Sequence, residues 1–161
     1  KKIILCLFGV IERSIIYTFE SIQRNILNVL KQEYDIDIYI HSINMGRYLD
    51  SIHGLEKNIK LNRDNINVIP YNFIEVIDKS DLDKIISTKK CSWRKDYTPT
   101  HINNALRQLY SEEQVGKFIL KNADKYDLAL VIGPDYYYSQ PINLDHLKIC
   151  LTKQCVYCRH E

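Results

Sequence analysis

The sequence is short of the residues that break a backbone, with five glycines and four prolines in 161 residues. That excludes collagen-like chains and the Gly/Pro-rich low-complexity class. No apolar run approaches the roughly 18 to 20 residues needed to cross a bilayer, so no membrane span is expected. The opening Lys1-Lys-Ile-Ile-Leu-Cys6 turns polar too soon for a secretory signal, and a cytoplasmic protein is expected. Charge of either sign is not in excess: 22 Lys and Arg stand against 20 Asp and Glu, a net charge of +2, so nucleic acid is not an expected partner. Glycine-rich phosphate loops are missing as well. A dinucleotide fingerprint needs several glycines in the turn after the first strand, and only Gly9 is there; no phosphate-loop lysine motif occurs. Five cysteines, an odd number without an export signal, argue against a disulfide framework.

The composition that remains, 45% hydrophobic and 26% charged, is that of one globular domain spanning 1–161 with a core of its own. Lys2 to Phe8 is an apolar run stopped at Gly9, as in a strand buried on both faces. Ile15, Phe19, Ile22, Ile26 and Val29 then recur at spacings of four and three, the stripe of an amphipathic helix. Asp35 to His41 alternates as a second strand, which makes a βαβ unit with parallel strands. Further on, the pattern predicts a third strand over Ile66 to Tyr71 and a helix capped by Ser80. Two helices are expected next, Thr100 to Tyr110 and, after a capping box at Ser111, Glu112 to Asn122. Leu128 to Ile132 reads as a buried strand, and Asn143 as the cap of a short helix, Leu144 to Lys148. Alternating strands and helices of this kind predict an α/β fold with a mainly parallel sheet flanked by helices.

In such a fold ligands sit beyond the carboxyl ends of the strands, where strand order reverses. The segments expected on that edge are Gly9 to Arg13, His41 to Asn44, and Gly133-Pro-Asp135. Together they offer a glycine, an arginine and a carboxylate. Gly9 has two readings, a backbone position that needs positive φ or a place where a ligand approaches the chain closely. The acidic pairs Asp35-Ile-Asp37 and Asp81-Leu-Asp83 belong to a strand entrance and a helix start. Tyr136, Tyr137 and Tyr138 read as core and sheet-face packing, with at most one lining a site.

Two clusters remain open. Cys150, Cys155, Cys158 and His160 have zinc-ligand spacing, while the alternation of Gln154 to Cys158 also fits a strand carrying unrelated thiols. Lys89 to Lys95, basic around Trp93, is either a grip for phosphate or sugar or a solvated loop with one anchoring ring.

Five segments come in an order that resembles the nucleotide-sugar glycosyltransferases of the A-type fold, and among them the amino-terminal domains of the large glycosyltransferases of chlorella viruses. They are Lys2 to Gly9 with Arg13 beyond it, Asn25 to Leu30, Tyr34 to His41, Asn104 to Ser111 and Tyr126 to Asp135. The resemblance spans Lys2 to Leu147. It implies a Rossmann-like nucleotide-sugar-binding core, a UDP-sugar donor, a glycan acceptor and transfer of a hexose, in the host cytoplasm if the protein is viral. It further implies that Phe8, Gly9, Val10 and Ile11 hold the nucleoside with Arg13 near its rim, that His41 and Asn44 flank base or ribose, and that Arg107 and Gln108 face the diphosphate or sugar. The family's metal-binding Asp-x-Asp falls on Gly133-Pro-Asp135, leaving Asp135 as sole carboxylate for Mn²⁺ or Mg²⁺, with the diphosphate supplying further oxygens. The acceptor side and the catalytic base are expected from segments beyond those matched, so the chain is expected to be incomplete on that side. The competing expectations are a non-catalytic nucleotide- or glycan-binding domain and a small zinc-binding module.

Overall fold

The computed structural model describes residues 1–48, 59–88 and 98–153. Four strands form one sheet, β1 (Lys2–Gly9), β2 (Asp35–Asn44), β5 (Phe73–Asp78) and β6 (Leu128–Ile132), in the order β5-β2-β1-β6 with every pair parallel. A separate antiparallel pair, β3 (Arg47–Tyr48) and β4 (Ile59–Lys60), follows β2. The chain is thus α/β with a parallel sheet between helices, compatible with a Rossmann-like arrangement.

The alternation along each strand decides what covers each face. Ile3, Leu5 and Leu7 of β1 and Ile38 and Ile40 of β2 point to one side. There they meet Ile11, Ile15 and Ile22 of helix α1 (Ile11–Ile22), and Ile26, Leu27 and Leu30 of the turns that prolong it. Those turns are a π-helical segment, Gln23–Leu27, and the short α2 (Asn28–Leu30). Ile66 from a 3₁₀ segment, Arg63–Val68, and Leu147 of α5 (Leu144–Lys153) complete this cluster. Ile4 and Cys6 of β1 and Tyr39 of β2 point to the other side, against Val115 and Phe118 of α4 (Pro99–Lys121), where the Tyr39 and Phe118 rings stack at 3.9 Å. Burial pushes the Cys6 thiol up to about 12, so it is an inert core group.

β1, the first helix, β2 and β6 lie where the hydrophobic pattern places them. Several other expectations need correction. The sheet's third strand in chain order is Phe73–Asp78, and the stretch expected to form it, Ile66 to Tyr71, begins instead in the 3₁₀ turn that ends at Val68. The apolar Ile66 and Ile69 signal burial there, which a 3₁₀ turn satisfies as well as a strand does. Helix α3 (Lys79–Ser87) starts one residue before Ser80, with Asp78 in the cap position. The two helices expected around Ser111 are one, α4. Ser111 lies fully buried inside it and bonds His41 on the sheet face beneath it at 3.1 Å, so its hydroxyl serves packing and caps no helix. Thr98 and Pro99 supply the true start, the Thr98 hydroxyl accepting from the His101 amide. α5 is longer than expected, and Asn143 caps it as expected, accepting from the Asp145 and His146 amides. β6 is an edge strand only partly buried, with Val131 46% exposed. The zinc-spaced residues Cys155, Cys158 and His160 and the basic Lys89 to Lys95 loop lie outside the described residues. Cys150 is buried in α5. No helix among the described residues is long and apolar enough to cross a membrane.

Candidate functional site

Because the four strands are parallel, the ends of β1, β2, β5 and β6 share one edge, and strand order reverses between β1 and β6. At that junction Gly9 ends β1 with φ of +107°. An added Cβ would meet no protein atom, so the left-handed backbone is what calls for glycine there, and the space beside it is open. α1 begins two residues later and carries Arg13 and Ser14 in its first turn. Both reach Asp135 just beyond β6. The Arg13 guanidinium bonds Asp135 Oδ2 at 2.5 Å, and the Ser14 hydroxyl donates to Oδ1. The predicted meeting of the first and last strand tips is therefore made side chain to side chain.

A stripe along α1 explains how the loop after β6 is held. Ser14, Thr18, Ser21 and Asn25 recur at spacings of four, three and four, on one face of the helix. Thr18 Oγ1 donates to the Pro134 carbonyl at 2.6 Å, and the Ser21 hydroxyl accepts from the Tyr138 amide at 3.0 Å. Asn25 Nδ2 donates to the Tyr138 carbonyl, and the Asn25 carbonyl accepts from the Ile142 amide at 2.8 Å. Residues 134–142 thus run along α1, on the same side of the sheet as α5. This stripe was readable in the sequence as a row of small polar residues beside the apolar one.

The three tyrosines do not behave alike. Tyr138 is partly buried against the core and donates to the Gly133 carbonyl at 3.2 Å. Tyr136 and Tyr137 are 56% and 60% exposed, which corrects the expectation that they pack in the core. Tyr137 accepts from the Arg24 guanidinium at 3.3 Å.

The second half of the edge, at the ends of β2 and β5, holds one buried acid and one exposed ion pair. Glu12 is 3% exposed, and its carboxylate accepts from Ser42 at 3.2 Å while its carbonyl accepts from Asn65 at 2.9 Å. Burial raises its pKa against the opposing pull of its hydrogen bonds and of Arg63. Asn44, expected beside a base or ribose, donates to Asp78 and accepts from the Gly46 amide, and Asp78 also takes Arg63 at 3.1 Å. None of Glu12, Ser42, Arg63 or Asp78 was singled out from sequence, since each is an ordinary residue whose meaning depends on which strand lies beside it.

The remaining expected residues scatter. Ile11 is fully buried core, Phe8 packs with the Ile4 and Tyr39 cluster, and Val10 packs beside Ile43 and Leu82. His41 is 3% exposed on the α4 side, and burial lowers its pKa although Glu75 pulls the other way. Arg107 is clamped by Asp83 of α3 at 2.8 Å from Nε and 2.7 Å from the terminal nitrogen, with Asn104 at 2.7 Å. Gln108, its neighbour, is exposed and bonds Glu112 along the helix. The structure therefore unites Gly9, Arg13 and Asp135, and distributes Phe8, Val10, Ile11, His41, Asn44, Arg107 and Gln108 among packing and ion-pair roles.

A resident Mn²⁺ or Mg²⁺ does not fit this donor set. Both Asp135 oxygens are engaged, one by a guanidinium whose charge disfavours a cation beside it, and the described residues contain no group of three or more His, Cys, Asp or Glu suited to a metal ion. No protein-family model, no curated protein and no solved structure matches the chain.

Proposed function

We propose that the edge where β1 and β6 meet binds the diphosphate of a nucleotide sugar, most simply UDP-hexose, and that the chain is the donor-binding part of a hexosyltransferase with the A-type glycosyltransferase core. The observation that carries the reading is the Arg13 and Asp135 pair at the reversal of strand order, where β1 ends at Gly9 with open space beside it. Ligands of parallel α/β sheets collect at such a reversal. Arg13 sits there as a planar donor suited to phosphate oxygens. The pair is partly exposed, 28% for Arg13 and 46% for Asp135, so it is worth no more than about 1 kcal/mol and is readily exchanged for a phosphate partner. Any divalent cation would have to arrive with the diphosphate. A glycan hydroxyl is the acceptor in this reading.

The pairing of Asp135 with Arg13 and Ser14 favours a second reading, a nucleotide- or glycan-binding domain without transferase activity, since among the described residues the carboxylate at the junction is already engaged. Calorimetric titration with UDP and UDP-glucose, with and without Mn²⁺, followed by an assay for UDP release in the presence of an oligosaccharide, separates the possibilities. Binding with release supports the transferase, and binding without release supports the second reading. Failure of both nucleotides to bind removes both.

A further inference from the structure

We propose that Tyr136 is a stacking platform for a hexopyranose ring and that the glycine at 133 exists to seat it. The inference rests on the nucleotide-sugar reading and adds a residue that contacts the sugar. A Cβ built on Gly133 would lie 2.5 Å from Cδ2 and 2.6 Å from Cε2 of Tyr136, so the ring occupies the place a side chain would take. Gly133 is not among the glycines with positive φ, which among the described residues are Gly9 and Gly46. Backbone conformation therefore does not demand glycine at 133, and room for the ring does. The Cδ2–Cε2 edge of the ring lies over Gly133 at the strand tip, while the residue as a whole is 56% exposed. The loop that presents it is fixed at both ends: Pro134 is bonded through its carbonyl to Thr18, and Tyr138 reaches Ser21 through its amide and Gly133 through its hydroxyl. Such a ring offers its π face to a ligand at little entropic cost.

The class of ligand follows from what adjoins the ring. The apolar C–H face of a pyranose meets the electron-rich face of an aromatic ring favourably, and its hydroxyls need donors and acceptors at the rim. Asp135, the preceding residue, offers a carboxylate, and Arg13 and Ser14 bonded to it offer donors. A nucleobase would stack as well but has no such set of vicinal hydroxyls to satisfy. The hexopyranose can be the donor's sugar or an acceptor's, and the test distinguishes them.

Affinities of UDP, of UDP-glucose and, in the presence of UDP, of maltotriose are measured by calorimetry for the wild type, Tyr136→Ala, Tyr136→Phe and Gly133→Ala, with circular dichroism confirming the fold of each. The platform predicts that Tyr136→Ala and Gly133→Ala lose about three- to tenfold in affinity for UDP-glucose or for maltotriose while UDP is unchanged, and that Tyr136→Phe stays near the wild type. Loss confined to UDP-glucose assigns the donor sugar, and loss confined to maltotriose the acceptor. Unchanged affinity for both sugars overturns the platform while UDP binding keeps the parent reading standing. An equal loss for UDP shows that the ring stacks on the base and overturns the sugar assignment. No binding of any of the three by the wild type removes both proposals.

Discussion

The two halves of one sheet edge use their polar residues differently. At the ends of β2 and β5, Glu12 with Ser42 and Asn65 forms one group and Asp78 with Asn44 and Arg63 another, and they tie α1 and the 3₁₀ turn to the sheet. At the ends of β1 and β6, Arg13 and Asp135 are bonded but stay partly open to water, with Tyr136 and Tyr137 exposed nearby. Charge and carboxylates occur in both, so residue type does not distinguish a site from a joint. Position does. Buried Glu12, bonded to Ser42, holds the fold, and Arg63 and Asp78 pair in the open, 65% and 55% exposed, away from the reversal of strand order, whereas exposed rings and a weak ion pair at that reversal, near a glycine with open space beside it, leave groups available to a ligand.

The largest effect that tests this division belongs to Arg107. Removing it leaves Asp83 with Lys79 alone, since both Arg107 nitrogens meet one Asp83 oxygen and Lys79 the other, and breaks the ion pair joining α3 to α4, so Arg107→Ala should cost about 2 kcal/mol in denaturant unfolding, moderated because Asp83 is partly exposed. UDP affinity of the folded fraction should not change. A variant of normal stability that has lost UDP would move Arg107 from the joint to the site.

Gly9 comes next. With φ of +107°, alanine and valine should each cost about 1 to 2 kcal/mol through backbone strain, nearly equally, because the space beside the Cβ is empty. If valine lowered UDP affinity far more than alanine at equal stability, a ligand would be shown to fill that space.

Glu12→Gln should act in the other direction. The folded protein raises the pKa of this acid above the ordinary 4.5, so the ionised form that prevails at neutral pH is disfavoured in the fold. The penalty is absent below the unfolded value, grows as pH rises through the interval, and is complete above the folded value. Glu12→Gln should therefore raise Tm at pH 7 and lose that advantage below pH 4.5. A fall in Tm at pH 7 would mean that the Ser42 and Arg63 interactions outweigh desolvation.

The smallest change in stability is expected at the junction. Asp135→Asn should alter unfolding by less than about 1 kcal/mol. It should also remove the carboxylate charge opposite Arg13, so that UDP binds more tightly without added cation. If a cation carried by the diphosphate uses this carboxylate, Mn²⁺ should strengthen UDP binding to the wild type and not to the variant. Weaker binding of UDP without cation would contradict the view that Asp135 holds Arg13 in reserve.

How much of this could be read beforehand follows physical lines. β1, the first helix and β2 were legible because each is a long run of one periodicity, and Leu128 to Ile132 because a short apolar run ends at Gly133-Pro134. The meeting of Arg13 with Asp135 was legible as a consequence of parallel strands, although the bond itself was not. Ser111 misled because a Ser-Glu-Glu-Gln run has the same letters whether it starts a helix or lies within one, and only the His41 ring beneath it decides. Phe73–Asp78 was missed because an edge strand with Glu75 and Val76 exposed lacks the burial that marks a strand in sequence. The sealed state of Glu12 depends on Ser42 and Asn65, which are thirty or more positions away, and no local pattern encodes it.

The central claim is that the β1 and β6 junction, and not the α3 and α4 joint, meets the ligand's phosphates. Its most direct test is calorimetric titration of UDP into the wild type, Arg13→Ala and Arg107→Ala, with affinities taken per folded molecule. The account predicts that the wild type binds, that Arg13→Ala weakens binding by about 1.5 to 3 kcal/mol, roughly ten- to 150-fold, and that Arg107→Ala binds like the wild type. Equal affinity of Arg13→Ala and the wild type, or a wild type that binds no UDP, would contradict it.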